Sequence, residues 1–244
     1  MSDVALSALT VIGIFFIAAF VRSIFGFGDA LIAMPLLSLT VGIGVATPLV
    51  GLITLAIAVV MLLRERAAID IRAGWSLILS TMIGIPIGVM LIRAVPETVV
   101  KVPLGLLLIG YGLYNLLRPA LPQINKNQHT IWAWGLGFIA GILGGAYNTN
   151  GPPIVIYGTL RRWPPKQFRA TLQFYFLITG IVIAAGQGLA GLWTRNVLWL
   201  SVISLPVIVV ANLFGHVISQ HIRPEAYVKL VFALIVVIGV LFLL

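Results

Sequence analysis

The chain has no cysteine. Disulfides, thiolate metal sites and cysteine nucleophiles are therefore excluded. Charge is nearly as scarce: 9% of the 244 residues are Asp, Glu, Lys or Arg, against about 25% in a typical soluble domain. Only 6 residues are acidic and 3 are histidine. With 61% hydrophobic residues and a mean hydropathy of +1.14, so much apolar surface cannot be hidden from water. The solvent of this chain is a lipid bilayer. Its net charge of +9 then reads as basic loops on the cytoplasmic side and not as nucleic-acid binding. The opening Met1-Ser2-Asp3 lacks the basic n-region of a signal peptide, so the first apolar segment is expected to be retained.

Crossing a bilayer as a helix takes roughly 20 apolar residues. Charged and Pro/Gly-marked breaks divide the chain into candidate spans at 4–25, 44–63, 73–93, 96–117, 131–145, 165–189, 195–220 and 224–244. Two further apolar stretches, 29–41 and 150–161, are too short to cross, and each follows a Gly-rich break. The halves of the chain resemble each other. Phe20 aligns with Phe138, Gly26 with Gly144, Pro35 with Pro153, Ala46-Thr47 with Ala170-Thr171, Pro96-Glu97 with Pro224-Glu225, and Lys101 with Lys229. Such ordered self-similarity marks an internal duplication. It divides one integral membrane domain into repeats 1–120 and 121–244.

Each half is expected to hold a helix, a break, a short helix and three long helices. If the first two form a hairpin returning to its own side, each half crosses an odd number of times and the second half is inverted. The hairpin places Arg64, Arg66, Arg72, Arg118, Lys126, Arg161, Arg162, Lys166, Arg169 and Arg223 on one side and Arg93, Lys101 and Arg195 on the other. The positive-inside rule prefers this split to the near-even one that single crossings would give. The expected fold is all-α integral membrane, with two inverted repeats. Its location is the cell inner membrane, multi-pass, with both termini outside the cytoplasm.

The unusual stretch is "GGAYNTNGPP", Gly144 to Pro153. Broken helix at membrane depth is tolerated only where it is buried in protein or lines a watery cavity. Its partner in the first half is "FGFGDALIAMP", Phe25 to Pro35. Glycine permits close approach and positive φ, and proline suits a helix's first turn. Two short helices starting at these breaks would aim unpaired N–H groups and positive dipole ends at the mid-membrane, which is an anion site. Gly26, Gly28, Gly144, Gly145 and Gly151 would shape the backbone cage. Asn148, Thr149 and Asn150 would contact the anion and also cap the helix, while Pro35 and Pro153 would fix the short helices or their kinks. The bland alternative is that these residues only cap and pack a kink.

These two stretches resemble the sulfite exporter TauE/SafE family of membrane transporters. Gly26, Gly28 and Pro35 carry the likeness in "GFGDALIAMPLL", and Gly137 to Pro153 carry it in the second half. The resemblance covers essentially the whole chain. It implies generally outward secondary transport of sulfite, sulfonates or other small sulfur- or carbon-based organic anions; separately, no cofactor and no metal are expected. Asp29 and Ala30 depart from it, standing where the family commonly has glycines. A carboxylate beside an anion site repels the guest unless it is protonated or paired.

Asp29 is the only acidic residue well inside an apolar segment, and such a group is a functional candidate by default. It either carries a proton or forms a structural ion pair, with Arg22 or Arg169 as the available partner. Arg169 opens the long helix that also carries Thr171 and Gln173. It suits an oxyanion through its planar fork or snorkels to the interface. Asn212 and His216, four apart, are expected to join helices. His129 and His221 lie near loops, and the tryptophans flank segment ends as an aromatic belt does.

An intramembrane enzyme would need a nucleophile with its base or a metal cluster, and neither is present in the sequence, so none is expected. The expected activity is a carrier of a small anion held between the two breaks. An anion channel or a non-transporting scaffold is the alternative. The partners are the small anion and the bilayer; coupled protons and a homo-oligomer stay open.

Overall fold

The computed structural model describes residues 3–63, 71–94, 97–117 and 129–219, with 229, 232–233, 235–237, 239–240 and 243. All elements among these are helices. In chain order they are α1 (Asp3–Phe25), α2 (Asp29–Val41), α3 (Ile43–Leu62), α4 (Ile71–Ala94), α5 (Glu97–Leu117), α6 (His129–Tyr147), α7 (Gly151–Leu160), α8 (Pro165–Leu189) and α9 (Arg195–Ser219). Helix is the form in which a spanning segment satisfies its own backbone. The two short stretches are helical as expected, and 165–189 matches residue for residue. The expected last span falls mostly outside the described residues, although every described position from 229 onward is helical. Arg64, Arg66, Arg118, Lys126, His221, Arg223 and the Pro96 and Pro224-Glu225 repeat match also lie outside them.

Six of the described helices, α1, α3, α4, α6, α8 and α9, contain stretches long and apolar enough to cross a membrane. Their outward faces carry Leu9, Ile83, Met90, Val202, Phe214 and Val217, all more than half exposed. The interior holds Arg22, Gln173, Gln187, Thr81 and Asn148. Apolar outside with polar groups within is the arrangement a hydrocarbon solvent selects, since unpaired polar groups cannot face it. Trp75, Trp132, Trp134, Trp193 and Trp199 are exposed and stand near helix ends, as a belt at the headgroups does.

Short helices α2 and α7 are buried almost all round, which is why neither shows an amphipathic pattern. From Gly42, α2 and α3 run antiparallel. The Thr54 hydroxyl, halfway along α3, reaches Asp29 at the start of α2, and Thr47 reaches Met34. In the second half, Arg161 sits 2.9 Å from the His129 ring at the beginning of α6, and the Tyr157 hydroxyl points to the His129 carbonyl. Helix α7 therefore comes back toward the end from which α6 set out. Asn150, at its start, meets Thr179 in the middle of α8.

Helices α3 and α8 lie side by side and antiparallel, with Gly51 next to Gln187 and Leu55 next to Gly180. The turn at Gly42 and the turn after α7 consequently lie at opposite ends of the bundle. Helices α2 and α7 enter the interior from opposite directions and begin near its middle.

Helices α4 and α6 meet through glycine. Gly137, Gly141 and Gly145 repeat at every fourth position of α6; Gly141 and Gly145 face Gly84 and Gly88 of α4, and Gly137 faces Leu77 and Ser80. This spacing lets two helix backbones touch. The Thr81 hydroxyl donates across the seam to the Gly137 carbonyl at 2.9 Å. The expectation that Gly145 belongs to an anion cage is corrected here: its open side faces the α4 backbone at Ile85, Gly88 and Val89.

Candidate functional site

Each break is built from a helix end in the left-handed region. Helix α1 stops where Gly26, at φ +83, donates its N–H to the Arg22 carbonyl at 2.6 Å. Helix α6 stops where Asn148, at φ +56, donates to the Gly144 carbonyl at 2.9 Å. Asparagine is the side chain that most readily replaces glycine in this position. The conformational partner of Gly26 is therefore Asn148, and not Gly144 as the alignment of the halves suggests. Gly144 instead faces Ile183 and Asn150.

The two prolines also do different work. Pro153 lies in the first turn of α7, while Pro35 lies in the interior of α2. There it leaves the carbonyl one turn earlier without its helical donor.

No side chain caps either short helix. Gly28 precedes α2 at φ +101, and Asn150 precedes α7 without a capping bond. The expectation that the Asn/Thr stretch caps α7 is thereby corrected, because the Asn150 amide donates to the Thr179 hydroxyl at 3.1 Å. Both helix starts keep first-turn donors that intrahelical bonding leaves over. Pro152 and Pro153 remove two of these from α7, so its contribution to an anion is Gly151 and the dipole end more than a ring of N–H groups.

The two breaks meet at one small buried cavity of about 10 Å³, room for about one water-sized group. Gly28, Asp29, Asn148, Thr149, Asn150 and Gly151 line it from the breaks, and Arg22, Thr54 and Phe176 from the surrounding helices. Arg22 is 0% exposed. Its Nη1 lies 2.7 Å from Asp29 Oδ2, and the Thr54 hydroxyl donates to that same oxygen at 2.9 Å. Its Nη2 donates to Gln173 Oε1 at 3.1 Å, and its guanidinium carbon lies 4.9 Å from the Phe176 ring centre. The choice left open for Asp29 resolves to Arg22 as its ion-pair partner. Two buried polar atoms of cavity-lining residues have no hydrogen-bond partner, Arg22 Nε and Thr149 Oγ1.

Gly26 and Arg169, expected at the anion site, do not line this cavity. The Arg169 side chain passes beside Gly26 and donates to the Ser23 carbonyl at 3.3 Å. The Gly26 carbonyl is taken by Gln173 Nε2 at 2.6 Å. Asn148 is held from both sides: its amide donates to the Thr47 carbonyl at 2.6 Å and accepts from Gln187 Nε2 at 3.4 Å. Thr54, Gln173, Phe176, Thr179 and Gln187 thus belong to the site or its support. Except for Phe176, which carries none, their sequence signal is modest, polar side chains recurring in α3 and α8 where apolar ones would face lipid. Asn212 meets α1 through its carbonyl, which accepts from Ser23. His216, on an exposed position of α9, takes no part in the cavity. Among the described residues no cluster of His, Asp and Glu is placed to hold a metal ion.

An all-helical membrane protein with a small cavity lined by two broken helices and a buried ion pair has the build of a membrane transporter. The chain belongs to the sulfite exporter TauE/SafE family, whose model matches residues 11–242. It is 25% identical over 226 residues to a protein of Cupriavidus necator named "Probable sulfite/organosulfonate exporter TauE", a match covering 89% of this chain and 86% of the relative. No solved structure matches it. Members of this family are transporters and not enzymes.

Proposed function

We propose that the chain is a secondary carrier that exports a small sulfur oxyanion or sulfonate, held mid-membrane between the two breaks. The observation that carries this reading is a pair of unpartnered buried atoms on two residues that line the shared cavity, the Thr149 hydroxyl and Arg22 Nε. A buried donor without a partner is costly, and both are donors suited to oxyanion oxygens. The uncapped starts of α2 and α7 add two positive dipole ends aimed from opposite directions. The relative's name supplies the substrate class. A cavity of about 10 Å³ is too small for a continuous pore and must widen to admit the guest, which favours a carrier that opens to one side at a time over a channel.

The two halves act as inverted repeats, divided near residue 120, each contributing one re-entrant hairpin. The antiparallel packing of α3 on α8 and the opposite turns of α2 and α7 support this. With the basic loops cytoplasmic, the protein resides in the inner membrane with both termini on the far side.

Replacing Thr149 by valine keeps the shape and removes the hydroxyl. Its loss is expected to weaken sulfonate binding roughly 10- to 100-fold, the worth of one hydrogen bond to a charged group. The melting temperature of the unliganded protein should barely move, because the hydroxyl holds nothing in the fold. Thr149→Ser should retain binding. Flux of a radiolabelled sulfonate from proteoliposomes, beside thermal unfolding with and without that anion, checks both. If valine leaves affinity unchanged, the cavity is not where the anion sits.

A further inference from the structure

Asp29 lies in the first turn of α2, where a helix start favours negative charge, and it is held by Arg22 and Thr54 on one oxygen. The carboxylate thus already occupies the place an incoming anion would take. The site contains its own anion and its own cation, and both line the cavity. A sodium-type coupling ion is disfavoured for the same reason, since the guanidinium fills the cation position beside the carboxylate.

We propose that the guest takes Arg22 from Asp29, and that Asp29 accepts a proton as it is displaced, so one proton crosses with each monovalent anion and export runs when the anion's outward gradient exceeds the opposing pH gradient. The inference rests on the carrier reading above. The charges balance. Before binding, Arg22 and Asp29 cancel. With the guest bound, Arg22 cancels the guest, and the proton on the Asp29 carboxyl oxygen leaves that group neutral. No covalent bond breaks. Without the proton, two negative groups would share one buried guanidinium, and a carboxylate buried without a countercharge neutralises itself instead.

Among the described residues, the surroundings supply no competing titratable group. Arg22 is the charged residue that α1 brings to the cavity. Helix α3 brings Thr54, and α7 brings Gly151 and Pro152. Helix α8 brings Phe176 to the cavity and Gln173 to Arg22. The Arg169 guanidinium on α8 is directed to the Ser23 carbonyl, and the Tyr175 hydroxyl to Thr81. Among the described residues, no other ionisable side chain lines the cavity.

The test uses the full chain in sealed liposomes with methanesulfonate, which stays a monoanion near neutral pH and carries no proton of its own. A gradient of one pH unit should drive about tenfold accumulation. A pH dye inside should report one proton per anion, and an imposed membrane potential should have no effect. In Asp29→Asn the accumulation ratio should fall to one, whatever rate remains. Flux that follows the membrane potential without proton movement would overturn the proposal. Should the Asn variant fail to fold, the wild-type proton count decides alone. Exchange of labelled for unlabelled methanesulfonate at equal pH tests carriage separately. Exchange without proton movement sinks only the coupling, whereas no wild-type exchange removes the carrier reading and the coupling with it.

Discussion

Arg22→Ala is expected to cost about 3–5 kcal/mol, the usual penalty for removing one partner of a buried ion pair. The reason is what stays behind. Asp29 is 6% exposed, and of the two groups that hold its carboxylate only the Thr54 hydroxyl would remain. The Gln173 carbonyl oxygen would lose the donor it takes from Arg22, and Phe176 would lose the cation beside its ring. Total stabilities run to about 5–15 kcal/mol, so most of the folded protein should disappear from detergent extracts.

Replacing both partners separates stability from function. Arg22→Met combined with Asp29→Leu removes both charges and keeps apolar bulk. Such exchanges are often neutral or stabilising by about 1–4 kcal/mol, so the double variant should melt near the wild type. It should still fail to move anions, because the cavity has lost its cation. Thermal unfolding of both proteins, followed by flux in liposomes, reads the two effects apart. A single Arg22→Ala variant that melts like the wild type would show that the pair holds nothing.

Gly141→Leu should be as damaging for a different reason. A Cβ on Gly141 would already stand 2.8 Å from the Gly84 Cα and 3.0 Å from the Ile85 nitrogen. Those are backbone atoms that cannot swing aside. Overpacking of this kind costs about 1–3 kcal/mol and occasionally more, and a leucine adds far more volume than one methyl. The helices would have to separate, breaking the Thr81 bond to Gly137 and shifting Tyr175, whose hydroxyl lies 2.8 Å from Thr81 Oγ1. Gly135 lies on the same helix with nothing within 4 Å of an added Cβ. Gly135→Ala should therefore be neutral or slightly stabilising, by up to about 1 kcal/mol from helix propensity. Size-exclusion profiles and melting curves of the two variants test the seam. Equal behaviour would mean that α4 and α6 do not touch through their glycines.

Most helix ends were legible because they are marked by charge, glycine or proline. The short helices at 29–41 and 150–161 stood out because each is too short to cross and each begins at a break. Arg22 and Asp29, seven positions apart around a glycine turn, were visible as one of two possible pairings. What decided between Arg22 and Arg169 is the course of α8, which sends Arg169 past Gly26 to the Ser23 carbonyl. That course depends on packing between distant segments, and no local pattern encodes it.

The glycines misled in a different way. Gly144 and Gly145 look like cage residues beside an Asn-Thr-Asn stretch, yet α6 continues through both of them and turns only at Asn148. The spacing of Gly137, Gly141 and Gly145 carried their true role as a surface for a neighbouring helix. Thr54, Gln173 and Phe176 come to the site from other helices, so their place became visible only with the crossing of α3 and α8. The two prolines of α7 were in plain view. Their consequence, fewer donors at that helix start, follows from the absence of N–H on proline alone.

The central claim is that both breaks face one guest. The natural lack of cysteine makes a single introduced thiol the sole target for a thiol reagent. The deciding measurement is the labelling rate of Thr149→Cys, on one break, and of Ala30→Cys, on the other, by a negatively charged methanethiosulfonate in membranes. Methanesulfonate should slow both reactions, at a higher concentration for Thr149→Cys, which lacks the hydroxyl, than for Ala30→Cys. Protection of one position without the other, or of neither, would contradict a shared site.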